Sequence, residues 1–366
     1  MKPDQKIAAF LLAAAALLVV PLIAQQFGNA WVRIIDFSLL YVLLALGLNI
    51  VVGYAGLLDL GYVAFYALGA YMFGLLASPQ LGETFANIRQ AFPTGLHTPF
   101  WVVIPAGAAL AGLFGVLLGA PTLKLRGDYL AIVTLGFGEI IRVFINNLDA
   151  PVNITNGPKG IAQIDSINLF GLFNLGKTHS LFGMDVPAVT NYYYLFLTLV
   201  VVSVVICSRL ERSRIGRAWM AIREDEIAAK AMGINTRNMK LLAFGMGATF
   251  GGVSGVMFST FQGFISPESF SLQESIMIVA MVVLGGIGHL PGVILGALLL
   301  ASLPEVLRYV AGPLQEMSGG RLDAAILRQL LIALAMIGIM LARPRGLWPQ
   351  PEHGKAAPVP AVPAVK

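Results

Sequence analysis

Long stretches of apolar residues recur along this chain and limit what it can fold into. A helix needs roughly 20 apolar residues to cross the hydrocarbon core of a bilayer, whereas only 12% of these 366 residues are charged. Such proportions predict an all-α polytopic membrane protein with about 8–10 transmembrane helices. The eighth stretch is short enough for a half-crossing. The predicted spans are Ile7–Ala24, Ile34–Val52, Leu60–Ala77, Trp101–Gly119, Tyr129–Asn146, Tyr192–Ser208, Met239–Gln262, Ser275–Ile287, Leu290–Val310 and Ala324–Ala342.

The distribution of basic residues predicts the orientation of these spans. The net charge of +5 comes from Lys and Arg that cluster beside the ends of the apolar stretches. This distribution matches the positive-inside rule and does not indicate a nucleic-acid partner. Alternating crossings place the Leu148–Asn191 loop outside and both termini in the cytoplasm. The basic groups predicted inside are Lys2 with Lys6, Lys124 with Arg126, the loop Arg209–Lys240, and Arg343 with Arg345.

The two ends of the chain call for separate predictions. Ile7–Val20 follows two lysines and resembles a signal-peptide core, but the apolar stretch continues to Ala24 without a clear small-residue cleavage site. A retained first helix is therefore favoured. Residues 1–348 are predicted to form one transmembrane domain, and residues 349–366, rich in Pro and Ala, a disordered tail.

Two glycine-rich interruptions lie in different halves of the chain. Irregular backbone inside a bilayer is tolerated only where protein or a polar cavity satisfies its hydrogen bonds, and paired Gly/Pro interruptions are typical of transport pathways. The alternative is an ordinary tight turn between neighbouring helices. The candidate pathway residues are Gly53, Tyr54, Gly56, Asp59 and Gly61 in the first interruption, and Gly285, Gly286, Gly288 and Pro291 in the second.

Chemistry-bearing residues are few. Glu139 and Arg142 lie three apart on one helix face, a spacing that favours a structural ion pair. The four histidines and single cysteine show no metal-ligand spacing. Gly171–Thr178 matches the P-loop string G-x4-G-K-T, but its predicted position outside the membrane excludes it as an ATPase site. The chain is thus predicted to be no enzyme and to hold no metal or cofactor.

The Arg209–Lys240 segment differs from everything around it, with eight basic and four acidic residues. Trp219 and Ile222 are three apart and share one helix face. Glu224 to Glu226 precede a second short apolar pattern, and acidic residues stabilise a helix start. Gly233 suits the end of that helix. The pattern predicts two short helices that dock a cytoplasmic partner.

At this point the chain resembles the permease subunits of ABC importers for branched-chain amino acids, of the LivM type. The resemblance covers most of the chain outside the tail and the loop after Ala77. Its motifs are GLNIVVGYAGLLDLGYVAFYALGAY (Gly47–Tyr71), LRGDYLAIVTLGFGEIIR (Leu125–Arg142), NGPKGI (Asn156–Ile161), GRAWMAIREDEIAAKAMGIN (Gly216–Asn235) and VLGGIGHLPGVILGA (Val283–Ala297).

The resemblance implies a location and a set of partners. Such a chain would lie in the bacterial inner membrane and form the pathway with a second permease. Two ATPase subunits would bind ATP and Mg, and a periplasmic binding protein would deliver leucine, isoleucine or valine. A related urea or short-chain amide importer is the alternative.

The resemblance also implies which residues couple to the ATPases. The family's coupling loop often reads E-A-A-x3-G, whereas this chain has Ile227 at the first position and Glu226 one place early. The candidate coupling residues are Arg217, Trp219, Ile222, Arg223, Glu224, Glu226, Ala228, Ala229 and Gly233.

Overall fold

Fourteen α-helices make up most of the structure, a computed structural model that describes residues 3–93, 95–122, 125, 127–169, 173–181, 184–317, 324–343 and 346–348. The predicted tail lies outside the described residues. The helices are α1 Pro3–Gln26, α2 Asn29–Leu48, α3 Val63–Leu76, α4 Gln80–Thr84, α5 Ala86–Ala91, α6 Phe100–Thr122, α7 Asp128–Asn146, α8 Ala188–Arg212, α9 Arg214–Glu224, α10 Glu226–Ala231, α11 Thr236–Gln262, α12 Leu272–Gly285, α13 Leu290–Met317 and α14 Ala324–Ala342.

Every one of the ten predicted spans falls on a helix, which confirms the all-α polytopic fold. Six helical segments of the described chain are long and apolar enough to cross a membrane, and α1, α3 and α14 add shorter apolar helices. Among the described residues, strands occur only in the loop between α7 and α8. The described ones pair as two short hairpins, Asn168–Leu169 with Phe173–Asn174 and His179–Leu181 with Met184–Val186.

Helix α11 lies at the centre and packs against α6, α3 and α2. Glycine permits close approaches here, because a Cβ atom at Gly252 would lie only 2.6 Å from the carbonyl oxygen of Gly107 on α6. Small residues serve this purpose in membrane helix packing, where apolar lipid removes most of the hydrophobic driving force between helices. The packing gives the bundle a rigid centre.

Two helices begin inside the bundle and not at its surface. The predicted third span starts at Leu60, but residues 60–62 are not helical and α3 begins at Val63. Helix α12 begins at Leu272 after a 3-10 turn, Pro267–Phe270, and its Glu274 accepts a 2.8 Å hydrogen bond from Tyr41, midway along α2. At 1.5 Å per residue, the 14 residues of each helix cover about 21 Å, too little for either helix alone to cross the bilayer; α12 reaches a crossing length only together with its 3-10 turn, as Pro267–Gly285.

The loops gather at two opposite ends of the bundle. We call one end the coupling face; it holds residues 53–58, 209–240, 286–289 and 346–348, which are joined by the hydrogen bonds described below. The other, the distal face, holds residues 77–99, 147–187 and 263–266. There the Asp165 amide donates to Ala77 O, and Ile161 and Ile265 form a two-residue β-bridge.

Candidate functional site: the broken spans and the coupling helices

The first glycine-rich interruption is a helix that ends irregularly and turns back into the protein. After Leu48 the backbone of α2 widens into a π-helix over Asn49–Tyr54, a distortion that often marks functional sites. Gly56, with φ of +68°, then reverses the chain. A side chain there would collide with Arg223, whose Cγ lies 2.8 Å from the position of a Cβ.

The returning segment has its backbone satisfied by neighbouring helices. The Leu60 amide donates to Thr134 Oγ1 of α7 at 3.0 Å, and the Leu60 carbonyl accepts from Ser275 Oγ of α12 at 2.5 Å. The buried Asp59 accepts the Gly61 amide at 2.9 Å through Oδ1. Irregular backbone at membrane depth needs such partners, and here the two half-spans α3 and α12 meet through them.

The second interruption is a tight turn at the coupling face. Gly286 and Gly288 both adopt positive φ, and residues 346–348 pair beside them: the Leu347 amide donates to Leu284 O and the Trp348 amide to Gly285 O. Pro291 is exposed in the first turn of α13. The tight-turn alternative therefore describes this interruption, while a pathway role for its residues stays a prediction.

A single side chain joins the two interruptions. Asn49 is buried in the π-helix, and its Oδ1 accepts the Gly288 amide at 3.0 Å. Sequence reasoning missed this residue. Its signal was a polar side chain within an apolar stretch, immediately before a glycine-rich break. Tyr54, predicted as a pathway residue, is also buried, and its hydroxyl has no hydrogen-bond partner among the described residues.

The coupling segment forms two short helices, α9 and α10, as the sequence predicts. Each has a capping side chain: Ser213 accepts the Gly216 amide, and Asp225 accepts the amides of Ile227 and Ala228. An N-cap of this kind satisfies helix amides that would otherwise lack partners. The two caps therefore favour the start of α9 after Ser213 and the start of α10 after Asp225.

The apolar face of α9 points into the protein. Trp219 is fully buried and its Nε1 donates to Met239 O at 2.7 Å, while Ile222 is buried beside it. On α10, Glu226 forms a 2.7 Å ion pair with the buried Lys240, and Ala229 is buried. These predicted coupling residues therefore fix α9 and α10 to the start of α11.

One coupling residue contacts the broken span directly. Arg223 Nη1 donates to the carbonyl oxygen of Gly53 at 2.5 Å, and its aliphatic stem fills the space left by Gly56. The last turn of α9 and the end of the π-helix are thus in direct contact. Motion of one requires the other to move or this hydrogen bond to break.

The outward surface of α9 and α10 consists of other residues. Two large apolar side chains are exposed on this surface, Ile227 at 70% and Met232 at 84%. Sequence reasoning missed Met232, since neither helix periodicity nor charge distinguishes it. The exposed predicted coupling residues around these two are Arg217, Arg223, Glu224, Ala228 and Gly233.

On α7 the predicted ion pair is present. Arg142 Nε donates to both carboxylate oxygens of Glu139, at 3.0 and 3.1 Å. The side chains are 32% and 42% exposed respectively, on a helix face that is only partly covered, by the 3-10 turn before α12 and by the first residues of the broken span. No group of three or more potential metal ligands occurs in the described part of the chain.

A bundle of apolar helices, with two half-spans meeting at its centre and paired helices at one end, defines a multi-pass membrane transport subunit. Residues 30–340 match the family described as "Branched-chain amino acid transport system / permease component". The chain therefore belongs to that family.

Individual relatives agree with the family match. The chain is 41% identical to the high-affinity branched-chain amino acid transport system permease LivM of Escherichia coli K12, over 87% of this chain and 70% of the relative. It is 26% identical to a probable LivM permease of Methanocaldococcus jannaschii, over 85% and 91%. Identity to the permease LivH of Salmonella typhimurium is 25%, over 86% and 93%. No solved structure matches the chain. These matches support the branched-chain amino acid reading over the urea alternative.

Proposed function

We propose that this chain is one of two permease subunits of an ATP-driven importer for branched-chain amino acids. The observation that carries the mechanism is the Arg223–Gly53 contact, which joins the predicted ATPase-docking helices to the broken span. Trp219 and the Glu226–Lys240 pair hold those helices on α11. A displacement of α9 and α10 by an ATPase would therefore reach the centre of the bundle.

The partners follow from the chain's relatives and surfaces. LivH, a distinct permease to which this chain is 25% identical, supports a second, similar permease as the partner. Two ATPase subunits would bind ATP and Mg and dock on the surface around Ile227 and Met232. A periplasmic binding protein would deliver cargo to the distal face. The subunit would lie in the inner membrane with both termini cytoplasmic.

The proposal includes no ATPase activity in this chain. A P-loop needs a strand followed directly by a helix whose N-terminus faces the phosphates. Here Phe173–Asn174 is a strand, but Thr178 leads into the strand His179–Leu181, and Leu175 to Lys177 form a turn. This geometry supports hydrolysis by partner subunits alone.

The test is uptake of labelled leucine and labelled urea in a host that lacks this chain, with and without its return on a plasmid. We expect restored leucine uptake and unchanged urea uptake. The control returns the chain to a host in which the P-loop Lys of the chromosomal ATPase partner is also replaced, which should abolish the rescue. Rescue of urea alone would contradict the cargo, and leucine rescue that survives the ATPase defect would contradict ATP-driven transport.

A further inference from the structure

The ion pair on α7 lies on a helix face that this chain leaves partly uncovered. Glu139 and Arg142 are flanked by apolar side chains, of which Ile140, Val143 and Phe144 are 47–64% exposed. Arg142 lies about one helical turn from the end of α7 at Asn146, so the pair lies within the predicted span Tyr129–Asn146 and nearer the distal face. A charged pair exposed to lipid at this depth is costly, and such residues almost always face a bundle interior or a water-filled cavity.

The surroundings of the pair are those of a pathway. Glu268, in the 3-10 turn before α12, is close enough to act electrostatically on Arg142. Beside Glu139 lies an apolar depression lined by Leu60, Val63, Leu135, Phe270 and Leu272, at the junction of the two half-spans. A Cβ at Gly138, next to Glu139, would lie 3.2 Å from Gly61 Cα, so α7 is in contact with the broken span.

We infer that Glu139 and Arg142 bind the zwitterionic head group of an aliphatic α-amino acid during its passage, an inference that rests on the proposed function. Arg142 offers its guanidinium to the carboxylate, in the geometry that favours paired hydrogen bonds. Glu139, with Glu268, receives the ammonium group. Urea carries neither charge, so this arrangement favours an amino acid over an amide.

The apolar depression supplies the place for the aliphatic side chain. In this conformation it has no room for a water molecule, so a side chain enters only when α7 and the half-spans separate. The Leu60 contacts to Thr134 and Ser275 are the ones that such a separation would change. Because Arg223 links the coupling helices to the same broken span, opening of the depression would follow ATPase movement.

A charge exchange separates this role from a structural ion pair. The assembled importer, reconstituted in proteoliposomes with its binding protein, is compared as wild type, Glu139→Gln, Arg142→Gln and the double exchange Glu139→Arg with Arg142→Glu. Each single variant should lower leucine uptake about tenfold or more, as loss of a charge-assisted hydrogen bond predicts. The exchange can restore an ion pair but reverses the polarity offered to the ligand and should remain defective. Val143→Ala on the same exposed face is the matched control and should transport normally.

Cysteine protection tests the site without depending on turnover. The single cysteine of this chain, Cys207, is buried and should not react with the reagent. The variant Leu135→Cys therefore places a reactive thiol in the depression. In the vanadate-trapped complex, L-leucine should slow its modification by a small cationic thiol reagent, and urea should not. The protection should be absent when Arg142→Gln is combined with the reporter, even if transport by that variant is too low to measure.

The outcomes are distinguishable from failure of the proposed function. A wild-type complex that transports urea and not leucine would contradict the proposed cargo, and so the proposed function itself. If the wild type transports leucine, two results would overturn this inference alone. One is full activity of the charge exchange, and the other is the absence of protection by leucine at Leu135→Cys. Either result would leave Glu139 and Arg142 as a structural pair covered by the second permease.

Discussion

At the scale of single residues, Arg223 lies at the surface, but its side chain contacts the broken span and not only solvent. The sequence marks it as a coupling residue, and the structure directs its guanidinium inward to the Gly53 carbonyl. A π-helix leaves backbone carbonyls with irregular partners, so a charged donor at its end stabilises this geometry. Arg223 is therefore a positioning residue for the broken span.

Replacing Arg223 by Met should uncouple ATP hydrolysis from transport. The apolar stem beside Gly56 is kept, while a charge-assisted hydrogen bond worth about 1.5–3 kcal/mol is lost. We expect the assembled importer to hydrolyse ATP but to move about tenfold less leucine per ATP, with faster hydrogen exchange over residues 53–61. Arg223→Lys should recover part of the activity.

Arg214→Met is the matched control, since Arg214 is exposed on the same helix and is not one of the predicted coupling residues. This variant should leave unchanged both the leucine moved per ATP hydrolysed and the hydrogen exchange over residues 53–61. Equal uncoupling by the two variants would instead assign the effect to the charge of the docking surface.

At the scale of elements, apolar length predicted the ten helices that hold the predicted spans, but not where two of them begin. The stretch from Leu60 to Ala77 reads as one span, because Leu60 is as apolar as the helix that follows it. Its first residues are not helical, and Thr134 and Ser275 satisfy the backbone amide and carbonyl of Leu60 there. These partners lie 74 and 215 residues away in sequence, beyond the reach of any local pattern.

The same limit applies to the coupling helices. Their existence and apolar spacing could be predicted from the acidic residues Glu224 to Glu226, from Gly233 and from the Trp219–Ile222 interval. Which face of α9 and α10 points into the protein could not be predicted, because it depends on contacts with α11 at Met239 and Lys240. As a result the predicted set mixes side chains that fix α9 and α10 in place with side chains available to a partner.

The exposed apolar residues of this element should carry the ATPase contact. Ile227→Glu and Met232→Glu place charge where an interface would exclude water, and each should lower co-purification of the ATPase subunits by about tenfold or more. The chain's own stability should change by less than about 0.5 kcal/mol, because both side chains are solvent-exposed. Ile227→Leu and Met232→Leu keep the apolar surface and should behave as wild type. Normal ATPase binding by both glutamate variants would place the contact elsewhere.

At the scale of the whole molecule, the two faces have different roles that follow from their contents. The coupling face joins both glycine-rich interruptions, through Asn49, to the helices that meet the ATPases. The distal face holds the long loop between α7 and α8, with its short hairpins, and the entry to α12. Basic residues on the coupling face, in α9, α10 and the adjoining turns, match the positive-inside rule, so this face should be cytoplasmic.

Thiol labelling in intact cells tests that orientation. Val152→Cys on the distal face and Ala228→Cys on α10 are both exposed positions, and the native Cys207 is buried and should remain unlabelled. A membrane-impermeant maleimide should modify Val152→Cys in intact spheroplasts, but Ala228→Cys only after permeabilisation. The reverse pattern would place the coupling helices outside, where no ATP-driven partner could act on Arg223 and the broken span. Normal leucine uptake by both variants is required, because only then does labelling report the orientation of a working subunit.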